Sequence, residues 1–278
     1  MPDEITVRIP ATSANLGPGF DCLGVALDCY NQVTLRRSLG LANHPMVSDA
    51  ATAFFHRSGI AKFTFDWSIK GDIPRSRGMG SSVTVRLGIL HGLNHLADHP
   101  LAEDSLYRLC AQLEGHPDNA APAAFGGFTA ALPDSTHFRC EISPALHFVF
   151  LVPPDEVETD SSRTKLPLRI PRADAIENTA HTSMVTAAFA SQQYGLLKGS
   201  MQDWLHQPYR QATIPHLGPA IEAGVQAGAL AGYLSGSGSS VACLTLEDPS
   251  PVASAMQATL PTAHTLILHA DNTGVVPA

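Results

Sequence analysis

The sequence predicts an α+β fold in which strands and helices do not alternate as regular βαβ units. Three observations carry this reading. Ile5-Thr-Val-Arg-Ile9 and Phe63-Thr-Phe-Asp-Trp-Ser-Ile69 alternate apolar and polar residues, the period of half-buried strands. Val83, Leu87, Leu90 and Leu93 recur at spacings of four, three and three, the period of an amphipathic helix. With 278 residues, 44% of them apolar and 15% charged, the chain is long and apolar enough for one large domain or two lobes that share an interface.

Taken in order, the strand at Ile5–Ile9 is expected to stop at Pro10. Ala11–Asp21, rich in small polar residues, Gly and Pro, reads as a loop. Val25–Leu35 reads as one or two strands with a bend at Tyr30-Asn31, and Ser48–Phe55 as a short helix. The strand at Phe63–Ile69 leads to the helix expected over Ser81–Leu96. A second helix follows Pro100, with Leu106, Leu109, Cys110 and Leu113 on one face. Glu103 and Asp104 lie in its first turn, where the helix dipole favours acids. Glu114-Gly-His-Pro-Asp-Asn119 breaks it. Leu146–Val152 reads as a strand, and Pro153-Pro154 marks the expected lobe junction, giving lobes 1–152 and 153–278. Ala173–Leu197 and Pro219–Leu230 read as helical. Tyr233-Leu234 and Val241–Leu246 read as strands around a Ser-Gly-Ser-Gly-Ser-Ser240 loop. Val252–Leu260 reads as a helix and Thr265–His269 as a last strand.

The formal net charge is −8 and no Lys/Arg run offsets it, so neither a nucleic-acid surface nor an anionic membrane is an expected partner. The five cysteines are scattered without a C-x-x-C pair, which suggests neither a zinc ribbon nor a disulfide framework. No signal-peptide core and no membrane-length apolar run is visible, so a reducing cytoplasm is the expected location. A homodimer is an allowed assembly.

Arg77-Gly-Met-Gly-Ser-Ser-Val83 stands directly before the best helix. A helix start presents free N–H groups and a positive dipole end. Gly78 and Gly80 permit positive φ and close approach of a phosphate, and the hydroxyls of Ser81 and Ser82 can cap the helix, bind phosphate or ligate Mg²⁺. The alternative is a plain helix cap after a glycine turn. The spacing excludes the P-loop, the dinucleotide fingerprint and the nucleophile elbow. His91, His95 and His99 share a helix face, but Gly92 stands where a zinc-protease helix would carry Glu.

Pro10–Asp21, Pro74–Ser82, Glu114–Pro122 and Leu234–Ser240 resemble, in order, the signature segments of the homoserine kinase family, part of the GHMP kinase superfamily. The resemblance implies a GHMP kinase-like two-lobed fold, with an N-terminal ribosomal-S5-like lobe and a C-terminal ferredoxin-like lobe. It implies ATP and Mg²⁺ as cofactors, and transfer of the γ-phosphate to the hydroxyl of L-homoserine in threonine biosynthesis. Carried over by position, Pro74, Arg77, Gly78, Met79, Gly80, Ser81 and Ser82 would hold the nucleotide phosphates, and Asn43 the base. Ser81 and Glu114 would ligate Mg²⁺. Asn15, Asp21, His116, Asn119 and Arg210 would hold the amino-acid substrate, with Asp21 facing its ammonium and Arg210 its carboxylate. Asn119 stands where mevalonate-kinase-like relatives keep a catalytic aspartate. Direct attack by the substrate hydroxyl without a carboxylate base is therefore expected, with Asp118 as the rival base.

One position departs from the pattern. His181 stands where the family carries a second carboxylate-binding arginine, and Arg163 is a candidate to contribute instead. The departure leaves open another small alcohol, such as threonine or a non-amino-acid metabolite, or an inactive GHMP-fold metabolite-binding protein.

Overall fold

The computed structural model describes residues 3–38, 44–155 and 162–278. Strand β1 (Glu4–Ala14) pairs antiparallel with β2 (Leu23–Arg37) along nearly their whole length. The strand does not stop at Pro10. A register shift between Pro10 and Ala11 absorbs the missing N–H, and pairing resumes with Ala11 opposite Leu27. This carries Thr12 and Ser13 into the sheet. Helix α1 (Pro45–Ser58) follows; β3 (Phe65–Gly71) then pairs with residues 31–37 of β2.

Helix α2 runs from Ser81 to Leu96 and α3 from Glu103 to Glu114, as the periodicity predicts. With α1 they bury Val83, Leu87, Leu90, Leu93, Phe54 and Leu106 against Ile9, Val33 and Leu35 of the sheet. Gly88 and Gly92 let α2 lie close to that sheet. A Cβ on Gly88 would sit 2.7 Å from the side chain of Val33, and one on Gly92 2.5 Å from Leu35. Short helix α4 (Ala120–Phe125) and strands β4 (Phe128–Ala131) and β5 (His137–Cys140) complete the region. They are too short to show a period.

Strand β6 (His147–Val152) opens a second, four-stranded antiparallel sheet of order β7-β8-β6-β9, with β7 Ala231–Leu234, β8 Val241–Thr245 and β9 His264–Leu268. The chain therefore changes sheets before residue 147, not after 152. The expected junction at Pro153 follows a strand that belongs to the second sheet. At the C-terminal end, β10 (Val276–Pro277) returns to pair with β1. The two sheets share a core. Phe148 and Phe150 of β6 pack with Leu23 and Val25 of β2 and Phe189 of helix α5 (Arg172–Ala190). The opposite face of β6, Val149 and Leu151, packs under helices α7 (Leu217–Gln226) and α8 (Ser250–Thr259). Between α5 and α7 lies the four-residue helix α6 (Gln207–Arg210). No described helix is long and apolar enough to cross a membrane.

Gly88→Val is expected to cost about 1–3 kcal/mol by lifting α2 off the sheet. Gly195→Ala, where an added Cβ meets nothing within 4 Å, should stay within about 0.5 kcal/mol of wild type. Urea unfolding of both variants checks the contrast.

Candidate active site

A cleft of about 1140 Å³ lies between the sheets, with the start of α2 in its wall. The chain enters α2 through Ser76, Gly78 and Gly80 at φ of +52°, +74° and +69°. Both glycines line the cleft, but a Cβ added to either would point away from it into protein. A Cβ on Gly80 would collide with Thr12 Oγ1, and one on Gly78 with the carbonyl of Ser235. They are required so that β1 and the 235–240 loop can press on the back of the turn. Thr12 N–H donates to Met79 O at 3.3 Å and Ser235 Oγ to Gly78 O at 2.6 Å. No side chain caps α2, so its first N–H groups, with Ser81 and Ser82 beside them, are open to the cleft. Met79 is buried and anchors the turn in the shared core. Arg77 lines the cleft and ties the turn to the segment after β6, its Nε donating to Pro153 O at 2.8 Å. Pro74 is outside the cleft wall, although Ile73 and Arg75 on either side of it belong to the wall.

Helix α3 ends at Glu114, where Gly115 takes the left-handed conformation. Ser82 Oγ donates to Glu114 Oε2 at 2.9 Å, and Arg86 Nη1 contacts Oε1. The hydroxyl that reaches the carboxylate is Ser82's. Ser81 lines the cleft beside it.

Farther along the cleft, Asp21 and Arg163 form a two-pronged ion pair, with contacts of 2.9 and 2.5 Å. His116 Nδ1 meets Asp118 Oδ1 at 2.5 Å, and the same oxygen accepts the Asn119 N–H at 2.9 Å. Burial alone would push the His116 imidazole down, but the hydrogen bond and charge of Asp118, with Asp21, outweigh it and raise its pKa above the ordinary 6.5. Asp21, His116 and Asp118 offer ligand atoms within 4.8 Å of one another, and Arg163 is already seated on that acidic group. Thr12 Oγ donates to Asn119 Oδ1 at 2.7 Å. Asn15 lines the cleft, yet both ends of its amide hold protein: Oδ1 accepts from Asp21 N–H at 3.0 Å and Nδ2 donates to Gly236 O at 2.9 Å.

Arg210 lines the cleft at 2% exposure. It is carried on α6, whose first N–H groups donate to the Asp203 carboxylate. Its Nη1 donates to His206 Nδ1 and to Gly236 O, each at 3.1 Å, while Nε has no partner. No described carboxylate forms an ion pair with it. Burial, reinforced by the charge of Arg163, lowers its pKa to about 10. Both guanidiniums lie over the Phe20 ring, Arg163 at 5.3 Å and Arg210 at 5.4 Å.

His181 is not brought to the cleft. Its ring lies 4.9 Å from that of Trp204, and its Nδ1 is 3.1 Å from Ser200 O. Asn178 on the same helix clamps the first loop, donating to Pro18 O at 2.8 Å. Asn43 lies outside the described residues. At the cleft's far end His44 and Trp67 meet edge to face at 5.8 Å.

The GHMP kinases N terminal domain family matches residues 45–127 and the GHMP kinases C terminal family residues 185–262. The homoserine kinase of Aliarcobacter butzleri is 35% identical over 97% of this chain and 98% of its own. The chain belongs to the GHMP kinase family. A second relative, the homoserine kinase of Carboxydothermus hydrogenoformans, is 37% identical over 87% of this chain and 86% of its own. Among solved structures, homoserine kinase from Cytophaga hutchinsonii superposes with a TM-score of 0.91 at 24% identity, covering 100% of this chain and 98% of its own. A putative homoserine kinase from Listeria monocytogenes gives 0.76 at 27% identity, covering 99% of each chain.

Within this GHMP kinase, two cleft residues and one residue buried behind the cleft escaped sequence reasoning. Thr12 was hidden in a stretch that looked like loop. Trp67 read only as a strand residue. Arg86 carried a usable signal, since it stands four residues after Ser82 and so shares its helix face.

The raised His116 pKa has a stability consequence. Its contribution is fully present below pH 6.5 and is lost as pH rises through the higher folded-state value. The stability advantage of wild type over His116→Gln in urea unfolding is therefore expected to be largest below pH 6.5 and to shrink in alkaline buffer.

Proposed function

We propose that this GHMP kinase transfers the γ-phosphoryl group of ATP to the hydroxyl of L-homoserine, giving O-phospho-L-homoserine and ADP. The observation that carries the acceptor is Arg210. A guanidinium at 2% exposure with no described ion-pair partner is an expensive arrangement unless an anion completes it. It sits in the same cleft as the open start of α2, so one ligand end is a carboxylate and the other faces a phosphate site. Asp21 and Asp118 supply the acidic side that suits an ammonium. Together these match a small amino acid that bears an alcohol.

Ser81, Ser82 and the first N–H groups of α2 receive the β- and γ-phosphates, with Gly78, Met79, Gly80 and Arg77 shaping the turn. Trp67 and His44 flank the base. Ser81, Ser82 and Glu114 are all hard-oxygen donors, the set that suits Mg²⁺ beside phosphate oxygens and water. When bound, the ion supplies neutralisation of the phosphate charge. The substrate oxygen attacks the γ-phosphorus, an O–P bond forms, and the bond to the β-phosphate oxygen breaks. The hydroxyl proton leaves to a phosphoryl oxygen. With Oδ1 held by Thr12, Asn119 turns its amide donor toward the substrate oxygen and positions it. Asp118 is 2% exposed and engaged by His116 and the Asn119 N–H, which suits it to holding that geometry rather than to taking the proton.

Steady-state comparison of homoserine with threonine and serine, read as ADP release, should show the highest kcat/KM for homoserine. Equal values would assign another small alcohol. Arg210→Met should raise KM for homoserine at least ~30-fold, about 2 kcal/mol, while stabilising the ligand-free protein, because it removes a buried unpaired charge. Asn119→Ala should lower kcat by roughly 10²-fold and more than Asp118→Asn does; the reverse order would make Asp118 the base.

A further inference from the structure

Glu114 is the acid this cleft offers to a divalent cation, yet it already has a cation of its own. Its side chain is 8% exposed and that of Arg86 18%. Arg86 Nη1 contacts Oε1 while Ser82 Oγ donates to Oε2, so both carboxylate oxygens are engaged. Arg86 lies four residues after Ser82 on α2 and lines the same cleft as Ser81, Ser82 and Glu114. Its Nε is buried without a partner. Two arrangements of charge then compete. A carboxylate at this depth needs a positive partner, and the guanidinium supplies one. A divalent cation at Glu114 must displace that guanidinium or share the carboxylate with it, which costs binding energy. A guanidinium at the open start of α2 also attracts phosphate oxygens.

We propose that Arg86 is the resident counter-ion of Glu114, that it competes with divalent metal for this carboxylate, and that it gives the cleft affinity for a nucleoside triphosphate without metal. The proposal rests on the nucleotide reading of the cleft. Arg86 thereby weakens the binding of metal alone, so metal enters chiefly together with a triphosphate that offers the guanidinium a new partner. Glu114 and Arg86 act as a pair whose two members prefer opposite ligands.

The test compares wild type, Arg86→Met, Arg86→Lys and Glu114→Gln. Calorimetry with Mn²⁺ alone, and with a non-hydrolysable ATP analogue in EDTA, reads the two affinities separately. Arg86→Met should bind Mn²⁺ alone ~10-fold tighter and the metal-free analogue ~10-fold weaker, a change of about 1.4 kcal/mol in each case. Arg86→Lys keeps the charge and should shift both less. Glu114→Gln releases the guanidinium and should bind the metal-free analogue ~10-fold tighter. If Arg86→Met does not fold, Arg86→Lys and Glu114→Gln carry the comparison. Unchanged Mn²⁺ affinity in Arg86→Met, or weaker analogue binding in Glu114→Gln, overturns the proposal. A wild type that binds no analogue with or without Mn²⁺ overturns the nucleotide reading itself. Failure of the Arg86 proposal alone leaves wild-type nucleotide binding intact.

Discussion

The cleft depends on one close approach, between the backbone of Gly80 and the side chain of Thr12. No residue with a Cβ fits at 80 without displacing the Thr12 hydroxyl, which that atom would overlap, and the left-handed backbone there adds strain. The approach does two jobs. It seats the turn before α2 against the sheet, through Thr12 N–H and Met79 O, and it leaves the Thr12 hydroxyl aimed at Asn119. The start of α2 and the amide at 119 are therefore set by one residue of β1. Gly78 repeats the device against Ser235 on the other side, so the turn is held from both sheets. A turn held from behind can present bare N–H groups in front without a capping side chain, which would otherwise occupy the space before them.

Charge is handled just as locally. A protein of net charge −8 attracts polyanions only where cations are concentrated. In this cleft Arg86, Arg163 and Arg210 are all inserted from different elements, and each is placed differently. Arg86 and Arg163 sit on Glu114 and Asp21. Arg210 is held by His206 and a carbonyl, with no described acid against it. The first two are neutralised within the protein, so they cost little in the empty cleft. The third is not, and burial, reinforced by the charge of Arg163, lowers its pKa.

Much of the scaffold was legible because it is periodic. The α2 boundaries follow from Val83, Leu87, Leu90 and Leu93, and those of β6 and β8 from unbroken apolar runs. What was not legible depends on contacts between distant segments. Residues 10–14 carry loop-forming types, yet pairing with β2 keeps them extended, and Pro10 is absorbed by a register shift that no local rule signals. The sheet change at 147 was displaced to the prolines at 153, because Pro reports a break in the chain and not which sheet a strand joins. At the site, glycine was read as a close approach to a ligand, and nothing in the sequence signals that Thr12 and Ser235 also press on the turn from behind. Ser81 and Ser82 are equivalent in sequence, and only the direction of α2 decides which hydroxyl meets Glu114. His181 matched a motif position but lies away from the cleft, which Arg163 and Arg210 line.

The placement of these guanidiniums has a physical logic. A cleft gathers positive charge at a given point in space, not at a given point in the chain. Phe20 supplies the point: its ring is buttressed by stacking on His206 at 5.1 Å, and both guanidiniums lie over it. An aromatic face stabilises a cation without adding a negative charge of its own, and for Arg210 no described acid adds one. Arg163 reaches this ring from the segment after β6, and its ion pair with Asp21 holds it there against the repulsion of Arg210. The same ion pair draws the first loop, through Asp21, toward the second sheet. Asn15 does likewise through Gly236, and Asn178 through Pro18. The part of the cleft around Asp21 and Arg163 is thus assembled by contacts between distant segments, whereas the turn before α2 is seated on β1. Ligands that lie across both ends bring together the two structures that the shared core of β2 and β6 already holds in register.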